Sequence, residues 1–292
     1  MLYTKHNIGD LDLTKYKRFV SIGCSFTRWY WPTWADLLAR EMPDAHFVNI
    51  ARGGAGNQYI VTMLNILSRL HNFGPETLVG IMWSTFCRED RYVLENPKAI
   101  SNVGRGWYQT GNILNNSINH FYSIDHLEPF HYLIRDASLI STSNQYLKNA
   151  DFDTLNICSL DMPQQIPYSS AGHRNMDVTD STDKLFLEVM NLYQDIEDDF
   201  VGYLKTDDDH WPGNHVYPTP REESFIDYHP RSVDYANYLE KWHIPLSKAT
   251  HQFAQDETQK IDQITDPEWQ ATWPWRCMPS REEESNFFQK LF

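Results

Sequence analysis

Short apolar runs alternate with amphipathic helical patterns along this chain, and this alternation restricts its fold more than any other feature. Four runs have the composition of buried strands and lie at 18–23, 46–51, 77–83 and 154–160. Apolar residues recur at helical spacing after each of the first two runs and again before the fourth. Strands that alternate with helices predict an α/β fold with a mainly parallel sheet and right-handed crossovers.

Two segments depart from this alternation. A polar stretch at about 96–130 is longer than an ordinary connection, which predicts an insertion. Beyond Pro245 the periodic pattern degrades into a tail that is acidic, rich in Gln and aromatic. We therefore expect one α/β domain at 1–245, within the size range of single cores. A C-terminal extension at 246–292 is expected to wrap the domain or to contact another subunit, as in a homo-oligomer or a virion.

The charge balance and the cysteines exclude several classes of protein. Lys and Arg number 25 against 39 Asp and Glu, so the formal net charge is −14. Such a chain repels nucleic acid, and we expect no partner of that class. The four cysteines form no C-x-x-C pair, so neither a zinc knuckle nor a disulfide framework is indicated.

We find no apolar leader and no run long enough to cross a membrane, and we expect a cytoplasmic protein without a membrane partner.

Polar residues follow three of the predicted strands at the point where each strand ends. Ser25 follows the first strand, Gly54 the second, and Ser84 with Thr85 the third. Ligands of open α/β sheets bind at this edge. A serine in a strand-to-helix turn exposes its hydroxyl beside backbone N–H groups that stabilise an oxyanion, which suits acyl transfer.

A late segment supplies the two other groups that this chemistry needs. His229 is able to take the proton of Ser25, and Asp227, two residues earlier, to orient the imidazole and stabilise its charged form. Each residue alone has a simpler explanation, since a serine after a strand is often a helix N-cap and a histidine often bonds within a surface turn. Pro230 stiffens this turn.

Three blocks, taken together, resemble those of the SGNH (GDSL-like) hydrolases. They are GCSFT at 23–27, NIARGG at 49–54 and DYHP at 227–230, in the order the family has. The chain is most similar to divergent, often phage-borne members, over roughly 18–95 and 222–243. The resemblance implies a flavodoxin-like, three-layer α/β/α fold and a serine esterase that needs no cofactor.

The resemblance also assigns roles to residues. It implies that Ser25 is the nucleophile, that His229 is the base and that Asp227 is its acidic partner. The backbone N–H groups of Ser25 and Gly54 are the implied oxyanion donors. The family usually spaces its Asp three residues before the His, whereas here the spacing is two, and Cys24 stands where the family has Asp.

The third block of the family is the largest departure. Its Gly-x-Asn-Asp pattern is replaced by WSTF at 83–86, which removes the oxyanion asparagine. Thr85 or Ser84 is a candidate replacement through its hydroxyl, and Asn57 is another from the second block. Loss of one such donor typically lowers the rate by about 100- to 1000-fold.

Other patterns have simpler explanations. The glycine-rich run at 53–56 lacks the lysine of a P-loop, so a phosphate or nucleotide site is the weaker interpretation. The cluster of Asp207, Asp208, Asp209, His210 and His215 is typical of a solvated acidic loop, and we assign no metal. Cys24 is expected to be a small buried hydrophobe rather than a nucleophile.

The sequence thus leaves two main hypotheses. The first is an SGNH-type esterase acting on an acylated small molecule or glycan, for example by deacetylating a carbohydrate. The second is a catalytically weak SGNH-like module that serves as a structural or glycan-binding component, for example in a virus particle. The missing asparagine favours the second, and the three ordered blocks favour the first.

Overall fold

The computed structural model of this chain describes residues 1–86, 88–93, 106–112, 129–160, 184–205, 215–217, 225–227 and 229–263. Its strands are β1 (Leu2–Tyr3), β2 (Arg18–Ile22), β3 (His46–Asn49), β4 (Thr77–Trp83), β5 (Arg88–Val93), β6 (Gly106–Asn112), β7 (Asp153–Leu160), β8 (Gly202–Lys205), β9 (His215–Tyr217) and β10 (Phe225–Asp227). Its α-helices are α1 (Trp34–Arg40), α2 (Asn57–Leu70), α3 (Pro129–Lys148), α4 (Lys184–Glu197), α5 (Ser232–Lys241) and α6 (Lys248–Asp262).

The main sheet is parallel and has the strand order β3-β2-β4-β7, with β1 and β8 both paired to the outer side of β7. β1 pairs with the beginning of β7 and β8 with its end. From β2 the chain runs outward to β3 and then returns to the other side of β2 as β4. This reversal creates the topological switch point at which doubly wound proteins bind their ligands.

Helices cover both faces of the sheet. α1, α5 and α6 pack together on one face, and α2, α3 and α4 on the other. Trp34 of α1 lies so close to β4 that a Cβ on Gly80 would stand 2.7 Å from its ring. The bulk of the tryptophan therefore requires a glycine in the strand below it. The predicted three-layer α/β/α architecture with a mainly parallel sheet is confirmed.

Two antiparallel hairpins lie outside this sheet. β5 pairs with β6, and β10 with β9. The predicted insertion contains β6, but most of its residues lie outside the described part of the chain. Among the helices that the structure describes, none is long and apolar enough to cross a membrane.

Candidate active site

Ser25 lies in a tight turn directly after β2, at the switch point. The backbone N–H groups of Thr27 and Arg28 both donate to the Cys24 carbonyl, which closes the turn. Ser25 is only 6% exposed, and Cys24 is fully buried. The first helix begins later: Thr33 is its N-cap and forms a capping box with Asp36. Ser25 is therefore not the cap of α1, which removes the simpler explanation for a serine at this position.

The second block packs against this turn. The Arg52 N–H donates to the Gly23 carbonyl at 3.1 Å, and the Asn49 side chain donates to the Thr27 carbonyl at 2.9 Å. Gly54 has φ 76°, in the left-handed region that favours glycine. The structure thus brings the predicted oxyanion loop and the predicted nucleophile loop together.

The end of β4 lies beside the same turn. Ile22 and Ile81 are register partners, so Ser25 and Ser84, each three positions further along the chain, lie at the same edge of the sheet. The Ser84 hydroxyl is buried and has no hydrogen-bond partner among the described residues. The Thr85 hydroxyl accepts a hydrogen bond from Arg88 Nε at 3.0 Å. Both hydroxyls keep a proton to donate.

The amide of Asn57 is fully engaged elsewhere. Its Oδ1 accepts the Ser84 N–H at 2.8 Å, and its Nδ2 donates to the Ser84 carbonyl at 3.0 Å and to Asp136 Oδ2 at 2.9 Å. Nδ2 has two protons and both are used. In this geometry Asn57 does not supply an oxyanion donor, and it binds the end of β4 instead.

His229 packs on the residues that follow Ser25. Its imidazole stacks on Trp29, with ring centroids 3.5 Å apart and planes 17° apart, and lies 4.8 Å from the ring of Phe26. The next residue accepts a hydrogen bond, from Trp31 Nε1 to the Pro230 carbonyl at 2.7 Å. The predicted base is therefore held against the neighbour of the predicted nucleophile.

Asp227 is the last residue of β10 and is the register partner of His215 in β9. The side chains of both residues lie outside the described part of the structure, as do residues 207–210 of the acidic cluster. The contact between Asp227 and His229 stays a prediction. Within the described ranges, no group of three or more His, Cys, Asp or Glu is placed to hold a metal ion.

Behind the site lies a set of buried charged side chains that none of the sequence motifs indicated. Asp90 accepts hydrogen bonds from the Gly56 and Tyr59 N–H groups at the start of α2. Burial raises the pKa of Asp90, against the effect of these hydrogen bonds. Because the Asp90 carboxylate binds the Gly56 and Tyr59 N–H groups, these two groups are not available to a phosphate at the start of α2.

A second buried carboxylate, Asp136, lies on α3 and is bound by Arg135 Nε at 2.7 Å. Burial raises the pKa of Asp136 to about 7, although Arg135 and Asn57 oppose the shift. The signal in the sequence is an Arg-Asp pair inside the apolar pattern of a helix, at 135–136. Charged pairs rarely occupy such positions without partners.

Comparison with known proteins adds little. No protein-family model and no curated protein matches the chain. Among solved structures it is similar to protein YXIM_BACsu from Bacillus subtilis, with 9% identity and a TM-score of 0.33 over 85% of this chain. The chain spans 57% of that protein's length. A similarity of this size carries no information on function.

Proposed function

We propose that this protein is a serine esterase of the SGNH type, with Ser25 as nucleophile and His229 as base. One observation carries the proposal: the turn of Ser25 lies at the switch point of the sheet, and His229 is packed on Phe26 and Trp29 beside it. A serine at a ligand-binding edge with an imidazole held next to it is the arrangement that acyl transfer needs.

The chemistry follows from these positions. Ser25 Oγ attacks the acyl carbonyl while His229 takes its proton, and Asp227 orients the imidazole. The Ser25 and Gly54 N–H groups and the Ser84 hydroxyl stabilise the oxyanion. The imidazolium then protonates the leaving alcohol. Water, deprotonated by His229, releases the acid and restores Ser25.

The surroundings of Ser25 favour a small, uncharged acyl group. Ser25 is 6% exposed, which leaves little room at the hydroxyl for a long chain. The net charge of −14 disfavours anionic substrates. An acetyl ester of a small molecule or of a neutral carbohydrate fits both constraints.

Hydrolysis of p-nitrophenyl acetate tests this proposal. Ser25→Ala should lower kcat/KM by about 1000-fold or more, because the nucleophile is lost. Ser21→Ala is a matched control, since Ser21 is another buried serine of the same segment and its hydroxyl has no partner among the described residues. Equal activity of the wild type and both variants would refute the proposal.

One observation favours the alternative of a weak or inactive glycan-binding or structural module. The Asn57 amide already binds Ser84 and Asp136, so Asn57 does not replace the missing oxyanion asparagine. This alternative would be supported if the folded wild type bound an acetylated glycan without hydrolysing it. Assembly of the wild type into virus particles would support it as well.

A further inference from the structure

Asn57 connects three parts of the molecule that meet at the proposed site. It is the first residue of α2 and follows the loop that carries Gly54. Its side chain binds both backbone groups of Ser84, just after β4. Its remaining proton goes to Asp136 on α3. Both side chains are fully buried, so solvent does not replace any of these bonds.

Asp136 decides which way the Asn57 amide points. The Ser84 N–H can only donate and the Ser84 carbonyl can only accept, and Asp136 presents Oδ2 as the acceptor of the other Nδ2 proton. Oδ1 of Asn57 must therefore face the N–H, and Nδ2 must face the two acceptors. Without an acceptor at 136, one proton of Nδ2 would be buried and unpaired, and a rotated amide would lose both bonds to Ser84.

Asp136 is itself fixed from α3. Arg135 Nε donates to its other oxygen at 2.7 Å, and Arg135 Nη2 donates to the Arg88 carbonyl at 2.6 Å. The carboxylate therefore has a defined position relative to both β5 and α2. A chain of hydrogen bonds runs from Arg88 through Arg135, Asp136 and Asn57 to Ser84.

We propose that Asp136 is a positioning residue of the esterase site, which acts through Asn57 to hold Ser84 and its hydroxyl in place for oxyanion stabilisation. This inference rests on the proposed function. Asp136 touches no reacting atom. Its effect is to set where the Ser84 hydroxyl stands relative to Ser25, and displacement of such a donor by about 1 Å can lower a rate by about 100-fold.

Two substitutions at 136 separate positioning from a purely structural role. Asp136→Asn keeps an oxygen that can accept from Asn57, whereas Asp136→Leu has a similar size and no acceptor. Asp153→Asn is the control, because Asp153 is a buried carboxylate bound by Lys15 and Tyr16 at the opposite end of the sheet. The Asp153→Asn substitution removes the charge of a carboxylate that is also held by hydrogen bonds, but far from the proposed site.

The expected result with p-nitrophenyl acetate is a kcat for Asp136→Leu lower by about 10- to 100-fold, with KM within about twofold of the wild type. Asp136→Asn should recover most of kcat, and Asp153→Asn should lose stability without loss of kcat. A folded Asp136→Leu protein with wild-type kcat would overturn the proposal. So would an Asp136→Asn protein as slow as Asp136→Leu.

Amide hydrogen exchange of Ser84 provides a readout that does not need catalysis. The Ser84 N–H should exchange about tenfold faster or more in Asp136→Leu than in Asp153→Asn at equal global stability. Unchanged exchange would show that Asp136 does not fix this backbone and would overturn the proposal even if the enzyme is active. An inactive wild type with accelerated exchange in Asp136→Leu would instead refute the esterase function alone.

Discussion

Gly23 shows how closely single residues are constrained around Ser25. A Cβ at this position would collide with the side chain of Thr27 and would lie 3.2 Å from the Met82 carbonyl oxygen. The Thr27 side chain cannot easily move, because its Oγ1 accepts a hydrogen bond from the indole of Trp34. The Met82 carbonyl belongs to β4 and is fixed by the sheet. The turn that presents Ser25 therefore requires a residue without a side chain before it.

We expect Gly23→Ala to lower the free energy of unfolding by about 1–3 kcal/mol, as overpacking of a fixed site does. Gly9→Ala is the matched control, because a Cβ on Gly9 has no heavy atom within 4 Å. Urea denaturation of both variants provides the comparison. If Gly23→Ala were as stable as Gly9→Ala, the turn would be looser than the contacts indicate.

Sequence patterns predicted the positions of residues that depend on local structure and missed contacts that depend on distant partners. Ser25 and Gly54 stand at strand ends that periodicity identifies, and the structure brings their loops together. Asp136 is different, since its partner Asn57 is 79 positions away and no local pattern connects the two. For the same reason the sequence suggested Asn57 as an oxyanion donor, although in the fold its amide binds Ser84 and Asp136.

At the level of elements, the start of α2 depends on a carboxylate from another element. Its N-cap residue is Gly56, which has no side chain to accept the first N–H groups of the helix. Asp90 of β5 takes this role and accepts from the Gly56 and Tyr59 N–H groups. A Cβ on Gly56 would stand 2.9 Å from Asp90 Oδ2, so the glycine lets the carboxylate approach.

Asp90→Ala should therefore lower the free energy of unfolding by about 1–3 kcal/mol, because two buried N–H groups lose their acceptor. Asp256→Ala serves as the control, since Asp256 is exposed on α6, and its loss should change stability by less than about 0.5 kcal/mol. Thermal or urea unfolding measures both. If Asp90→Ala changed the free energy of unfolding as little as Asp256→Ala does, water would replace the Asp90 carboxylate at the start of α2.

The elements that the sequence predicted are those with a clear apolar period. β4 was expected at 77–83 and spans Thr77–Trp83. The helix α6, by contrast, was not indicated. Its buried face consists of Thr250, Ala254, Glu257 and Ile261, which have helical spacing but include two polar residues. A hydrophobicity pattern does not detect a helix that packs through polar side chains and an alanine.

For the molecule as a whole, the proposed site exists only when two segments far apart in the sequence, at 25–32 and 229–232, come together. Trp31 Nε1 donates to the Pro230 carbonyl, and Ser232 Oγ donates to the Pro32 carbonyl at 2.8 Å. These bonds join segments about 200 positions apart. The proposed nucleophile and the proposed base are therefore held by contacts between distant segments rather than by one local motif.

Two carboxyls, the buried Asp136 and the half-buried Asp36, make the stability of the whole molecule depend on pH. Burial raises the pKa of Asp136 to about 7 and that of Asp36 to about 6. The folded protein holds these protons more tightly than the unfolded chain does. Their contribution to stability is complete below the ordinary carboxyl pKa of about 4 and is lost as the pH rises through the folded pKa.

We therefore expect the free energy of unfolding to fall as the pH rises from about 5 to about 7.5. Asp136→Asn should reduce that fall by about 2 kcal/mol, because the variant no longer has this proton to lose. Urea titrations of the wild type and of Asp136→Asn at pH values of about 5 and about 7.5 measure the difference. An equal fall in both would show that Asp136 titrates at its ordinary value in the folded protein.

The most direct test of an activated serine at position 25 is labelling with a fluorophosphonate probe, read by intact mass. We expect one adduct on the wild type and none on Ser25→Ala. His229→Ala should be labelled slower by about 100-fold or more, as loss of a general base predicts. His251→Ala, which removes a histidine paired with Glu240 on the surface, should be labelled like the wild type. No adduct on folded wild type, or an adduct that persists on Ser25→Ala, would contradict an activated serine at position 25.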